Sequence, residues 1–262
     1  MRRHTYKIIH AFIVLFCILL SPIQVRAEEN NGMPPHLIQS VSEQDIYEGM
    51  VALRLLECPV LKRVDCEKAY ENAKNCVVRL NMGNAYGSGI IWQLTSNAVI
   101  VATNEHVLEY WDDETSFVHF PQGYYANAEI FGISGNYDVG FLIVGNDNFS
   151  YEELETLRYV CADETVYDDL EQGDAMFCVG AGIAVGVIEF HEGTVEEPWR
   201  YIDTFENDML YGHGFAKAGM SGGGTFDGYG HLIGMISGGT QLNETASVPL
   251  PSIIAAYEEV TG

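Results

Sequence analysis

The sequence predicts an all-β fold, and three observations carry that prediction. From Cys76 onward the apolar residues fall in short runs or alternate with polar ones, which is strand spacing rather than helix spacing. Glycine and asparagine break these runs at short intervals. A polar, acidic stretch over 146–173 then divides the strands into two sets. Repeated short strands with frequent turns suit barrels or sandwiches.

In chain order, the first 27 residues read as an export signal. Arg2, Arg3 and Lys7 precede an unbroken apolar run over 11–20, and Ser21-Pro22 ends it ahead of small residues around Ala27. The run is shorter than the ~20 residues a membrane-spanning helix needs. Residues 28–39 are polar and carry Pro and Gly. Ser40 and Glu43 fit a capping box, and the apolar spacing that follows predicts a helix over 42–57, with a second over 66–74. The first strand set is expected at 77–81, 88–94, 98–102, 116–120, 128–133 and 139–144. The second set is expected at 175–180, 185–190, 200–205, 224–226 and 232–237. The apolar segment 252–260 predicts a short terminal helix.

Charge narrows the partners. The chain has 13 Lys and Arg against 37 Asp and Glu. Removing residues 1–27 takes away four of the bases and no acid, which leaves a net charge of −28. A surface this acidic repels nucleic acid and anionic membranes. No nucleic-acid partner and no stable membrane insertion after signal removal are therefore expected, while the signal itself places the protein outside the cytoplasm, secreted or in the cell envelope. Five cysteines remain beyond residue 27 (Cys58, Cys66, Cys76, Cys161 and Cys178), an odd number. Cys58–Cys66 and Cys161–Cys178 are the first disulfide pairings to test. No Cys/His cluster has zinc spacing, so no metal and no cofactor is expected.

The chemistry centres on Gly219-Met220-Ser221-Gly222-Gly223-Gly224. A nucleophilic serine needs a sharp turn, which glycine permits, and free backbone N–H groups beside it. Taken alone, the stretch also reads as a flexible Gly-rich loop. A serine hydroxyl needs a base, usually a histidine oriented by a carboxylate. His106 follows a β-branched strand in Val101-Ala102-Thr103-Asn104-Glu105-His106-Val107. Asp138 stands at the mouth of an apolar strand in Tyr137-Asp138-Val139-Gly140-Phe141-Leu142. Asp112 and Asp113 are closer to His106 in sequence but sit in a polar run that reads as solvated.

With Gly87-Ser88-Gly89-Ile90-Ile91, these motifs occur in the order His106, Asp138, Ser221. Together they resemble the trypsin-like serine proteases, most of all the exported bacterial HtrA/Deg-type branch, over residues 76–262. The resemblance implies two six-stranded antiparallel β-barrels, one over about 76–150 and the other over about 170–250. The helical extension would lie within 28–75. Ser221 would be the nucleophile, His106 the base and Asp138 the orienting acid, with the N–H groups of Gly219 and Ser221 forming the oxyanion hole. Ser237, Gly238 and Gly239 would pair with the substrate backbone, and Phe215 would stand at the base of the specificity pocket. The implied activity is that of an exported serine endopeptidase acting on proteins or peptides. The alternative is a protease-like fold, catalytically silent, that binds or regulates.

Three departures from the pattern matter. Met220 occupies the position where trypsin-type enzymes carry the acid that pairs with a newly cut N-terminus, so activation by that ion pair is not expected. Phe215 offers no carboxylate to choose Lys or Arg, which points to small or apolar side chains at the cleavage site. By its length, the sequence is not expected to carry the PDZ domain that usually follows in HtrA proteins.

Overall fold

The computed structural model describes residue 61 and residues 63–262. The expected signal, the helix over 42–57 and Cys58 lie outside the described residues. In chain order the elements are α1 (Cys66–Ala73), β1 (Val77–Met82), β2 (Ala85–Leu94), β3 (Ala98–Thr103), α2 (Glu105–Leu108), β4 (Phe117–His119), β5 (Tyr125–Ala126), β6 (Glu129–Ile133) and β7 (Gly140–Gly145). After them come α3 (Tyr151–Thr156), α4 (Glu164–Asp168), β8 (Ala175–Ala181), β9 (Ile188–Ile202), β10 (Asn207–His213), β11 (Gly224–Asp227), β12 (Leu232–Gly239), β13 (Glu244–Pro249) and α5 (Leu250–Thr261).

The strands form two antiparallel lobes. The first is a curled seven-stranded sheet in the order β5-β4-β1-β2-β3-β7-β6, with β5 and β6 at its ends. The second closes into a six-stranded barrel, β10-β13-β12-β11-β8-β9. The mostly-β, two-lobed fold expected from the sequence is present. In the first lobe the added strand is β5, two residues long, and the sheet ends on it instead of closing.

The central strands of the first lobe are buried on both faces, which explains why they read as apolar runs. Val99, Val101, Leu142 and Val144 pack into that lobe's own core with Leu80, Ile91 and Phe120. Their neighbours Ile100, Ala102 and Phe141 face the other way, into a core shared with Phe177, Phe226 and Ile236 of the barrel and Ile253 of α5. One set of strands therefore joins the lobes through its outer face. Tyr257 of α5 strengthens that seam. Its ring lies 5.1 Å from Phe141 and 6.0 Å from Trp92, and its hydroxyl donates to Gln93.

The helix expected over 66–74 is α1, capped by Asp65, whose side chain accepts from the Lys68 N–H at 3.1 Å. The strands expected at 185–190 and 200–205 overlap the two ends of one strand, β9 (Ile188–Ile202), that continues through the polar segment between them, while 185–187 and 203–205 lie outside it. Pro198 is tolerated there because β9 and β10 shift register between Met209 and Tyr211, opposite it.

The Cys161–Cys178 disulfide is not formed, and no disulfide joins any two described cysteines. Cys178 is sealed inside the barrel with its Sγ 4.0 Å from Thr225 Oγ1, and burial pushes its thiol pKa up to about 12. Cys161 lies in the segment between the lobes, where its carbonyl accepts from the Leu232 N–H at 2.9 Å.

Candidate active site

The positions of His106 and Asp138 follow from how one turn of helix is capped. Asn104 ends the buried strand β3 and is the N-cap residue of α2 by position, yet its side chain does not cap that helix. Asp138 does so instead, with Oδ1 accepting the backbone N–H of His106 at 3.1 Å. The same carboxylate meets His106 Nδ1 at 3.0 Å through Oδ1 and 2.9 Å through Oδ2. One acid thus satisfies an orphan helix donor and orients the ring. In the neutral ring this makes Nδ1 the donor and leaves Nε2 as the basic nitrogen. The hydrogen bond to Asp138 raises the His106 pKa above its ordinary value; burial opposes this, and the charges of Asp138, Glu109 and Glu105 add to it.

The turn that presents Asp138 is itself anchored. Glu259 of α5 accepts from Ser134 Oγ at 2.7 Å and from the Gly135 N–H at 3.0 Å. Asp112 and Asp113 are engaged elsewhere: Asp112 accepts from the Thr115 N–H at 3.0 Å, and Asp113 from the Trp111 indole at 3.0 Å.

Ser221 sits on a loop fixed by backbone hydrogen bonds within itself and to β12. Met220 N–H donates to Lys217 O at 3.0 Å, Gly222 N–H to Ile236 O at 2.8 Å and Gly223 N–H to Met220 O at 2.9 Å. Gly219 has φ +94°, a conformation that glycine adopts without strain. These bonds leave the N–H groups of Gly219 and Ser221 uncommitted among the described residues. Met220 is fully buried and packs against Gly180. The Ser221 hydroxyl donates to Ser237 O at 3.4 Å, and among the described residues no hydrogen bond joins it to the His106 ring.

Asn104 was not singled out from the sequence. Fully buried, it donates from Nδ2 to Asp138 O at 3.0 Å and to Ser237 Oγ at 2.9 Å. It therefore ties the loop of the acid to the strand beside the serine. The only signal in the sequence was its N-cap position two residues before His106.

Ser237 lies where β12 slips register against β13, between Ile236 and Gly238. Such a bulge re-aims the backbone. Here the Ser237 carbonyl meets Ser221 and its hydroxyl meets Asn104. Gly238 and Gly239 line a cleft of about 510 Å³ with Tyr201, Phe205 and Tyr211. A Cβ on Gly239 would lie 2.8 Å from Ala216 O and 3.0 Å from Ala216 Cβ, so the two backbones face each other with little space between. Phe215 is not brought to this group. The residue is part-exposed, and its ring packs edge-on against His191 at 4.7 Å and lines a separate cleft with Phe190 and His213.

Comparisons with known proteins bear on the family and the fold. A family model described as a trypsin-like peptidase domain matches residues 87–235, more than half of the chain. The match takes in His106, Asp138 and Ser221. Similar solved structures include a serine-to-alanine variant of the HtrA-type protease AlgW with a tripeptide. That pair is 20% identical with a TM-score of 0.63, covering 75% of this chain and 64% of the other. The same variant with a decapeptide is 16% identical with a TM-score of 0.63, covering 76% and 67%. This chain thus spans about two thirds of the length of those relatives, and at such identities the likeness is one of fold. No curated protein matches the chain.

Proposed function

The chain belongs to the trypsin-like peptidase family, and from that premise we propose that it is an exported serine endopeptidase working through Ser221, His106 and Asp138. The observation that carries the reading is the double hold of Asp138 on His106, which leaves Nε2 as a base on the side away from the acid. His106 takes the Ser221 proton as Oγ bonds to the substrate carbonyl carbon. The N–H groups of Gly219 and Ser221 stabilise the oxyanion that forms. When the amine leaves, it takes that proton from His106, and an acyl group remains on Ser221. Water, deprotonated by His106, then repeats the attack and releases the acid.

Peptide substrates fit the open edge formed by Ser237, Gly238 and Gly239, to which an extended chain can add as a strand. The close approach of Gly239 to Ala216 favours small side chains at the cleavage site. The basic start and apolar run before residue 21 support export, with a mature chain that begins near Glu28.

A second reading rests on the Ser221 hydroxyl, which bonds to Ser237 instead of His106. On that reading the fold binds peptides without cutting them. Incubation with an unfolded protein, followed by sequencing of the product ends, separates the two. The enzyme reading expects new ends after small residues and none with Ser221→Ala. Binding without cleavage by the wild type supports the silent reading.

A further inference from the structure

We propose that Tyr86 and Ser88 on β2 are positioning residues that hold the Gly219–Ser221 backbone in the shape of an oxyanion hole. The inference rests on the peptidase reading and adds a task for the first lobe beyond His106, Asp138 and the Asn104 bridge.

The contacts run the length of the loop. The Ser88 hydroxyl donates to Gly219 O at 2.7 Å and accepts from the Ala181 N–H at 2.7 Å. The Ser88 backbone N–H donates to Ser221 O at 2.8 Å. One residue thus holds the carbonyls on both sides of Met220, and its own side chain is fixed to β8. Ser88 is fully buried, so a polar group there must be partnered.

Tyr86, two residues earlier and on the same face, acts on the preceding peptide. Its hydroxyl donates to Ala218 O at 3.4 Å. The carbonyl and N–H of one trans peptide point in opposite directions. Holding Ala218 O towards Tyr86 therefore aims the Gly219 N–H the other way, off the face that the ring covers. The ring lies so close to Gly219 that any Cβ there would collide with it. The Arg79 guanidinium stacks on the Tyr86 ring, 4.0 Å from its centroid, and itself donates to Gly182 O. The Ala218–Gly219 peptide is the one plane of the loop that rests on a single long hydrogen bond, which makes it the place where the hole can be lost.

The test compares wild type, Ser88→Ala and Tyr86→Phe for kcat, KM and thermal midpoint. It adds the affinity of a peptide boronate, whose tetrahedral adduct on Ser221 draws on the hole while substrate binding does not. The expected result is a kcat lower by about 10- to 100-fold with KM little changed. Boronate affinity should fall in parallel, and Tyr86→Phe should keep the wild-type thermal midpoint. Variants that match wild type in kcat and boronate affinity overturn the inference, and so does a loss confined to the thermal midpoint. A wild type with neither turnover nor adduct overturns the peptidase reading, and the inference with it.

Discussion

Asp138 grips His106 at two points, with Oδ1 on the backbone N–H at 3.1 Å and the carboxylate on ring Nδ1 at 2.9–3.0 Å. The acid thus caps the turn that carries the histidine as well as setting the ring. Asp138→Asn keeps an oxygen for the cap but can present an amide to Nδ1, which favours the wrong tautomer. A fall in kcat of about 10⁴-fold with a nearly unchanged thermal midpoint is the expected outcome in a steady-state assay beside a melting curve.

The same contact sets the pH dependence. Asp138 raises the His106 pKa, and in the proposed mechanism His106 acts as a base only when neutral. The rate should therefore fall as pH drops, with a midpoint above the ~6.5 of an unperturbed histidine. Asp138→Asn should move that midpoint down. A rate profile flat from mildly acidic to neutral pH argues against His106 as the base.

Asn104 is expected to matter to both stability and rate. Removing its side chain strands the Ser237 hydroxyl and the Asp138 carbonyl in a buried place, a loss of about 1–3 kcal/mol. Asn104→Ala should lower the thermal midpoint and reduce kcat, since the serine's neighbour and the acid's loop are both released. Full activity with a lowered midpoint would make the bridge a purely structural one.

A second histidine–carboxylate pair lies away from the site. His231 Nδ1 meets Asp227 Oδ2 at 2.8 Å, and Asp227 Oδ1 also accepts the N–H groups of Tyr229 and His231 in the β11–β12 turn. The bond to Asp227 raises the His231 pKa, opposed by burial and helped by the charges of Asp227 and Asp163. A group whose pKa is raised by folding adds stability that is complete below its unfolded value and lost as pH rises through the folded value. His231→Gln should thus lower the melting temperature more below about pH 6.5 than well above it. Equal losses at both ends would show that the charge contributes nothing.

Much of this arrangement was legible in the sequence because the chemistry is local. Strand runs before His106 and after Asp138, and glycines around Ser221, are patterns that short windows reveal. What stayed hidden depends on contacts between distant segments. β10 and β13 are short and mix polar with apolar residues, and only barrel closure pairs them with each other. β9 reads as two strands because Pro198 and its acidic neighbours look like a turn until the register shift opposite accommodates them. Asn104 looks like a helix cap, and its actual partners lie 34 and 133 residues away. Phe215, which the resemblance places at the base of the specificity pocket, packs its ring against His191 and lines a cleft with Phe190 and His213, a placement that depends on how the loop before Ser221 folds.

The central claim is that Ser221 is a nucleophile activated by His106, and covalent labelling tests it most directly. The folded protein is treated with a fluorophosphonate, and the adduct is mapped by mass spectrometry across a pH series. The account predicts a single adduct on Ser221, formed at a rate that follows the neutral fraction of His106 and absent from Ser221→Ala. A folded wild-type protein that stays unlabelled at every pH, or is labelled elsewhere, contradicts it.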